Sequence, residues 1–136
     1  MEVKTIDIKE DIRTFFMMTD HVPAGIPALF DEFEKLLNGF KEHHIYGVSE
    51  CVGDKLIYRA CITENSEGEA DEFDLPYYDI PKGIYLYTIL RNWRENIPQI
   101  SKIFDELLKR PDVKTGSICL EDYVADNEML LLVQHK

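Results

Sequence analysis

Residues 73–90, FDLPYYDIPKGIYLYTIL, read as one long strand with a single interruption. Aromatic and β-branched residues fill both ends of the run. Between them Ile80-Pro81-Lys82-Gly83 lacks an amide donor and carries a flexible glycine, the marks of a bulge or bend. The downstream residues give the strand its meaning. Ile97, Ile100, Phe104, Leu107 and Leu108 recur at helical spacing and stop before Pro111, which predicts an amphipathic helix. Ser117 to Val124 and Met129 to His135 then flank Asp126-Asn127 as a hairpin.

The same order stands upstream. Val3 to Met18 mixes alternation with the β-rich Thr14, Phe15 and Phe16 and reads as a long, bulged strand that ends at HVPAGIP. Leu29, Phe33, Leu36, Leu37 and Phe40 come next at helical spacing, with Asn38-Gly39 as a left-handed stop. His44 to Cys51 and Lys55 to Thr63 make a hairpin around Gly53-Asp54, which sets Cys51 across from Leu56 and Cys61 across from Tyr46 and so argues against a disulfide between them. The chain therefore divides into pseudo-repeats 1–63 and 73–136, each strand, helix, strand, strand, with the acidic, aperiodic segment 64–72 as linker. The repeat is one of architecture, with little residue identity.

Length and composition set the outer bounds. The 136 residues suit one domain, and 45% hydrophobic with 30% charged residues is globular composition. A formal charge of −11 and a pI near 4.7 repel phosphate backbones and anionic membranes, which disfavours direct nucleic-acid or membrane binding. Cys51, Cys61 and Cys119 form no CxxC pair, and the adjacent His43 and His44 point to opposite faces of a strand, so neither a metal site nor a cofactor is expected. With no apolar leader at the start and no long apolar run, a cytoplasmic protein is expected.

Two such halves joined through their sheets predict an α+β fold, an antiparallel sheet with both helices on one face and a ligand groove on the other. Ile84, Leu86, Thr88 and Leu90 would then face the helices, and Tyr85 and Tyr87 the opposite side. The same parity puts Cys119, Glu121 and Tyr123 together on one face of their strand, an acid beside aromatics.

With Ile80-Pro81-Lys82-Gly83-Ile84-Tyr85 entering the second long strand and Ile118-Cys119-Leu120-Glu121-Asp122-Tyr123 opening the last hairpin, nearly the whole chain resembles the GyrI-like family, the effector-binding domain of AraC-type and multidrug-responsive transcription activators. The resemblance implies two strand-helix-hairpin repeats about a pseudo-twofold axis, with small molecules held in the groove between them. It implies that Glu121 lies at the bottom of the pocket and attracts cationic, aromatic or amphiphilic compounds, with Tyr123 matching the motif's tyrosine. The family's regulators carry a helix-turn-helix domain ahead of this one; none is expected before Met1, which would make the stand-alone members the relevant comparison. These resemble toxin- or drug-sequestering proteins, and a branch of them hydrolyses electrophilic genotoxins with the pocket glutamate.

Each candidate has a plainer role open to it. Glu121 could be an exposed strand residue, and Tyr58, Tyr85, Tyr87 and Tyr123 fit a cation-binding box yet are also ordinary strand residues. Trp93 falls between strand and helix, at a groove rim or as a cap on the core. Cys119 is a candidate ligand contact or, without a histidine placed to activate it, a less apt nucleophile. Three functions compete: capture of a cationic or aromatic small molecule, hydrolysis by Glu121 with Tyr123, and docking of a protein partner through the acidic surface, such as a gyrase-like enzyme or a separate DNA-binding chain.

Overall fold

The computed structural model describes residues 1–40 and 42–136. Their order is β1 (Lys4–Ile8), β2 (Ile12–Thr19), α1 (Ile26–Leu37), β3 (Ile45–Val52), β4 (Lys55–Thr63), α2 (Glu69–Glu72), β5 (Tyr77–Ile80), β6 (Gly83–Arg91), α3 (Ile97–Leu108), β7 (Cys119–Ala125) and β8 (Glu128–Gln134), with a short 3-10 turn at Trp93–Glu95. The α+β class holds. All eight strands lie in one antiparallel sheet, ordered β1-β6-β8-β7-β3-β4-β2-β5.

Each long strand of the sequence reading is two short ones that run on after a bend. Between the last β1 pair, Ile8 with Gly83, and the first β2 pair, Ile12 with Ile80, one strand advances four residues and the other three. That extra residue is a bulge, and Gly83 sits at it with φ 136°, a conformation L side chains rarely adopt. Because β1 pairs with β6 while β2 pairs with β5, the two bent strands lie side by side and curl the sheet round on itself.

The curl decides where the second core goes. Phe16, Tyr46, Val48, Cys61, Ile80, Tyr85, Leu120 and Leu132 form one buried cluster on the face away from the helices. That face is packed rather than open, because bending brings the β5 end of the sheet over towards β6, a closure that alternation along single strands does not reveal.

The two long helices, α1 and α3, lie on the other face. The cross-strand row Ala60, Gly47, Glu121, Leu131, Thr88 shares one side of the sheet. Phe33 and Leu29 of α1 pack there on Phe15, Tyr58, Ala60 and Ile62, and Phe104 and Leu107 of α3 pack on Leu86, Met129, Leu131 and Val133. Their sequences, IPALFDEFEKLL and IPQISKIFDELL, are identical at five of twelve positions, including the proline in the first turn that pre-sets the helical φ. The hairpin turns fall at 53–54 and 126–127, and Cys51 lies across from Leu56 and Cys61 across from Tyr46, as read from the sequence. The acidic linker carries regular structure that its aperiodic sequence does not announce. Glu69–Glu72 makes one helical turn, held by Glu64 accepting from the Ala70 amide and by the His43 to Glu69 contact at 2.9 Å, with Ala70 fully buried under it.

The two helices place matching leucines differently. Leu107 is fully buried and its counterpart Leu36 is 44% exposed. Leu107→Ala is therefore expected to cost about 2–5 kcal/mol of unfolding free energy and Leu36→Ala under about 1 kcal/mol. Urea unfolding monitored by tryptophan fluorescence or circular dichroism measures the pair, and equal losses would contradict this packing.

Candidate functional site

β3 and β7 join the two halves at the middle of the sheet, and Gly47 pairs directly with Glu121 there. A glycine inside a β-rich run marks a close approach. A Cβ on Gly47 would overlap the Tyr58 hydroxyl and Glu121 Oε1 and stand 2.7 Å from Tyr58 Cζ. The absent side chain is thus the space in which the site is built.

Tyr58 belongs to β4, two strands from β7, and reaches across Gly47 to do what its own register partner Ser49 does not. Its hydroxyl donates to Glu121 Oε1 at 2.7 Å. Tyr123, two residues along β7 and on the same face, donates to the same oxygen at 2.9 Å, and the two phenol oxygens lie 3.3 Å apart. Glu121 is 7% exposed. Among the described residues it has no ion pair.

Burial raises the Glu121 pKa above its ordinary value, and the two phenol hydrogen bonds oppose the rise without cancelling it. Tyr58 and Tyr123 are themselves held well above the usual phenol range, first by burial and then by the Glu121 charge beside them. Both phenols therefore stay protonated as donors over the working pH range. A carboxylate held by two neutral donors keeps its charge undischarged.

An aromatic wall stands over this trio. Phe30 of α1 packs edge-on to Tyr58 and to Tyr123, at 6.1 Å between ring centroids in each case. Trp93, just ahead of α3, packs edge-on to Tyr123 at 5.3 Å. Tyr123 is thus flanked by rings from both halves, one from α1, which packs on β2 and β4, and one from just ahead of α3, which packs on β8.

The fold recurs in solved structures. An integron cassette protein from the mobile metagenome of Vibrio cholerae is similar at a TM-score of 0.73 with 12% identity, over 98% of this chain and 95% of that one. The protein SAV2435, solved bound to tetraphenylphosphonium, is similar at 0.71 with 10% identity, over 100% and 94%. A Staphylococcus aureus MU50 protein assigned to bacterial transcription regulation is similar at 0.60 with 9% identity, over 98% and 97%. No known family's sequence pattern matches the chain, and neither does any curated protein. At these identities the likeness is one of fold.

Of the residues singled out from the sequence, Glu121, Tyr123, Tyr58 and Trp93 come together, with Cys119 nearby on the same face of β7. Burial pushes the Cys119 thiol up to about 12, with Glu121 and Asp105 adding to it, so it is a poor nucleophile at neutral pH. Tyr85 and Tyr87 do not join them. They pack in or against the cluster on the other face, where Tyr85 is fully buried and donates to the Pro81 carbonyl at 2.7 Å. Their parity against Leu86 is as read. Glu121, however, shares the Leu86 face through Leu131, which is the face that carries α1 and α3.

Phe30 and Gly47 also belong to the site, and neither is a candidate on sequence grounds. Phe30 stands at i, i+3 and i+7 with Phe33 and Leu37, a spacing that signals only a core helix, while the glycine in IYGVSECV was a readable sign of close approach. No group of three or more His, Cys, Asp or Glu that could hold a metal occurs among the described residues, nor is any helix there long and apolar enough to cross a membrane.

The crowding at Gly47 and the burial of Glu121 can each be measured. Gly47→Ala should destabilise the protein by about 1–3 kcal/mol, and by distinctly less in a Tyr58→Phe background, since the phenol oxygen that its methyl meets is gone; a double-mutant cycle by chemical denaturation reads the coupling. Additive effects would place the strain elsewhere. Glu121 takes up a proton more readily folded than unfolded, so its contribution to stability is fully present below the ordinary glutamate pKa of 4.5 and is lost as pH rises through the raised one. Glu121→Gln, whose amide oxygen can still accept both phenols, should melt above wild type at neutral pH, with the gap closing on acidification. A lower melting temperature at pH 7 would refute the assigned burial cost.

Proposed function

We propose that this protein is a GyrI-like small-molecule-binding protein that takes up cationic aromatic compounds between its helices, with Glu121 as the counter-charge. The observation that carries the reading is the buried Glu121 carboxylate, held by two neutral phenols and by no cation among the described residues. A delocalised cation supplies the missing charge without demanding hydrogen bonds, and it loses little hydration on entering an apolar site. Phe30, Tyr123 and Trp93 provide the faces and edges on which its rings pack.

Because Phe30 packs on both tyrosines, the ligand enters by taking the place of its ring. The bound tetraphenylphosphonium of SAV2435, a protein of the same fold, supports this choice of ligand class. A second reading rests on one further observation. Two phenol hydroxyls and a carboxylate with a raised pKa converge within hydrogen-bond reach, which also suits general-base attack of water on an electrophilic compound, Glu121 taking the proton and a tyrosine donating to the leaving atom.

Isothermal titration with tetraphenylphosphonium across pH 4–9, on wild type and Glu121→Gln, tests the binding reading. Affinity should be constant above the raised pKa of Glu121 and fall as pH drops through it, because a protonated carboxyl offers no counter-charge. The Gln variant should bind about 1–3 kcal/mol more weakly at pH 8 and without that pH dependence. Equal affinities of the two proteins would sink it. For the second reading, electrophilic aromatic compounds recovered after incubation should gain the mass of water with wild type and not with Glu121→Gln.

A further inference from the structure

Among the described residues two buried side-chain atoms lack a hydrogen-bond partner, Arg59 Nε and Trp93 Nε1. The Arg59 guanidinium is otherwise well held, by Glu50 at 2.6 Å and by the Phe16 and Tyr78 rings. The indole N–H is different, for it is the only polar atom of its side chain and no described residue accepts from it. A buried donor left without an acceptor is a cost that packing alone does not offset.

The ring's orientation is fixed from two sides. Tyr123 packs edge-on at 5.3 Å and 74°, and the Arg94 guanidinium lies 4.5 Å from the indole centroid, itself tied to the Asp126 carbonyl. The unpartnered donor therefore belongs to a clamped ring in direct contact with Tyr123, whose hydroxyl is on the Glu121 carboxylate.

We propose that the Trp93 indole N–H is a ligand-selecting donor of the Glu121 site, matched to aromatic cations that carry a hydrogen-bond acceptor, such as a ring carbonyl, beside the charge. The inference rests on the reading of Glu121 as a cation-binding group and adds a second, neutral point of recognition to it. Charge draws the ligand to Glu121, and the acceptor sets its orientation between the helices. A cation without an acceptor still binds but leaves Nε1 unsatisfied.

The test is a matched pair of cations, tetraphenylphosphonium and (4-acetylphenyl)triphenylphosphonium, titrated into wild type, Trp93→Phe, Glu121→Gln and a protein with 3-benzothienylalanine at position 93, which keeps the shape of the indole but has sulfur in place of N–H. Wild type should prefer the acetyl compound by about tenfold, the value of one well-made hydrogen bond. The preference should vanish in both position-93 proteins, while the benzothienyl protein keeps its affinity for the parent cation. Absence of a preference in wild type, or its persistence without the N–H, overturns the proposal while leaving the cation site standing. A parent cation that fails to bind, or binds equally well to Glu121→Gln, overturns the cation site and this inference with it.

Discussion

The rest of the site depends on one pairing, Gly47 opposite Glu121 where β3 meets β7. The two halves of the chain repeat the same pattern of pairing, with β3 and β7 in corresponding places, so the seam between them is where matching positions face one another. Side chains of equal size on both sides would collide or fill the seam. One half supplies no side chain there and the other a carboxyl, and the difference leaves room for Tyr58 to cross β3 and meet it. An asymmetric site thereby arises in a nearly symmetric frame.

That arrangement explains the charge chemistry better than any single residue does. A lysine or arginine beside Glu121 would have relieved its burial and discharged it. Two phenols relieve burial only partly, since each is a neutral donor, and so the carboxyl keeps a raised pKa and an unmet attraction for a cation. The edge-on contacts of Phe30 and Trp93 with Tyr123 stabilise the closed gap by roughly 0.5–1.5 kcal/mol each beyond their burial. Under the proposed reading, a ligand that put a ring of its own in the place of Phe30 would recover a similar amount, which would make the exchange nearly neutral and leave charge to decide the outcome.

What could be read from the sequence was what is local. The hairpin turns at Gly53-Asp54 and Asp126-Asn127 are set by neighbouring residues, and with them the register that separates Cys51 from Cys61. The i, i+2 spacing of Cys119, Glu121 and Tyr123 put them on one face by strand geometry alone. Tyr85 and Tyr87 show where this reasoning stops. Alternation sorts residues within a strand, but whether the tyrosines or Leu86 share a face with Glu121 depends on the register through Leu131, three strands' worth of pairing that no local signal carries. Phe30 and Tyr58 reach the site from 91 and 63 residues away along the chain, distances over which periodicity is silent.

The curl of the sheet has a bearing on how such a site can open without unfolding the protein. A flat sheet with helices on one face would depend on those helices to cover its only core. Here the bent strands give the sheet a second core of its own, with Val48, Tyr85 and Leu120 almost wholly buried on the far side. The strands that carry Tyr58, Gly47 and Glu121 are therefore held from behind, whatever α1 and α3 do in front. Movement of Phe30 on α1 would loosen the aromatic wall and leave the hydrogen-bonded carboxylate in place. Under the proposed reading, a charge fixed on the sheet beside a ring on α1 that gives way is the physical basis on which one glutamate would serve aromatic cations of different shapes.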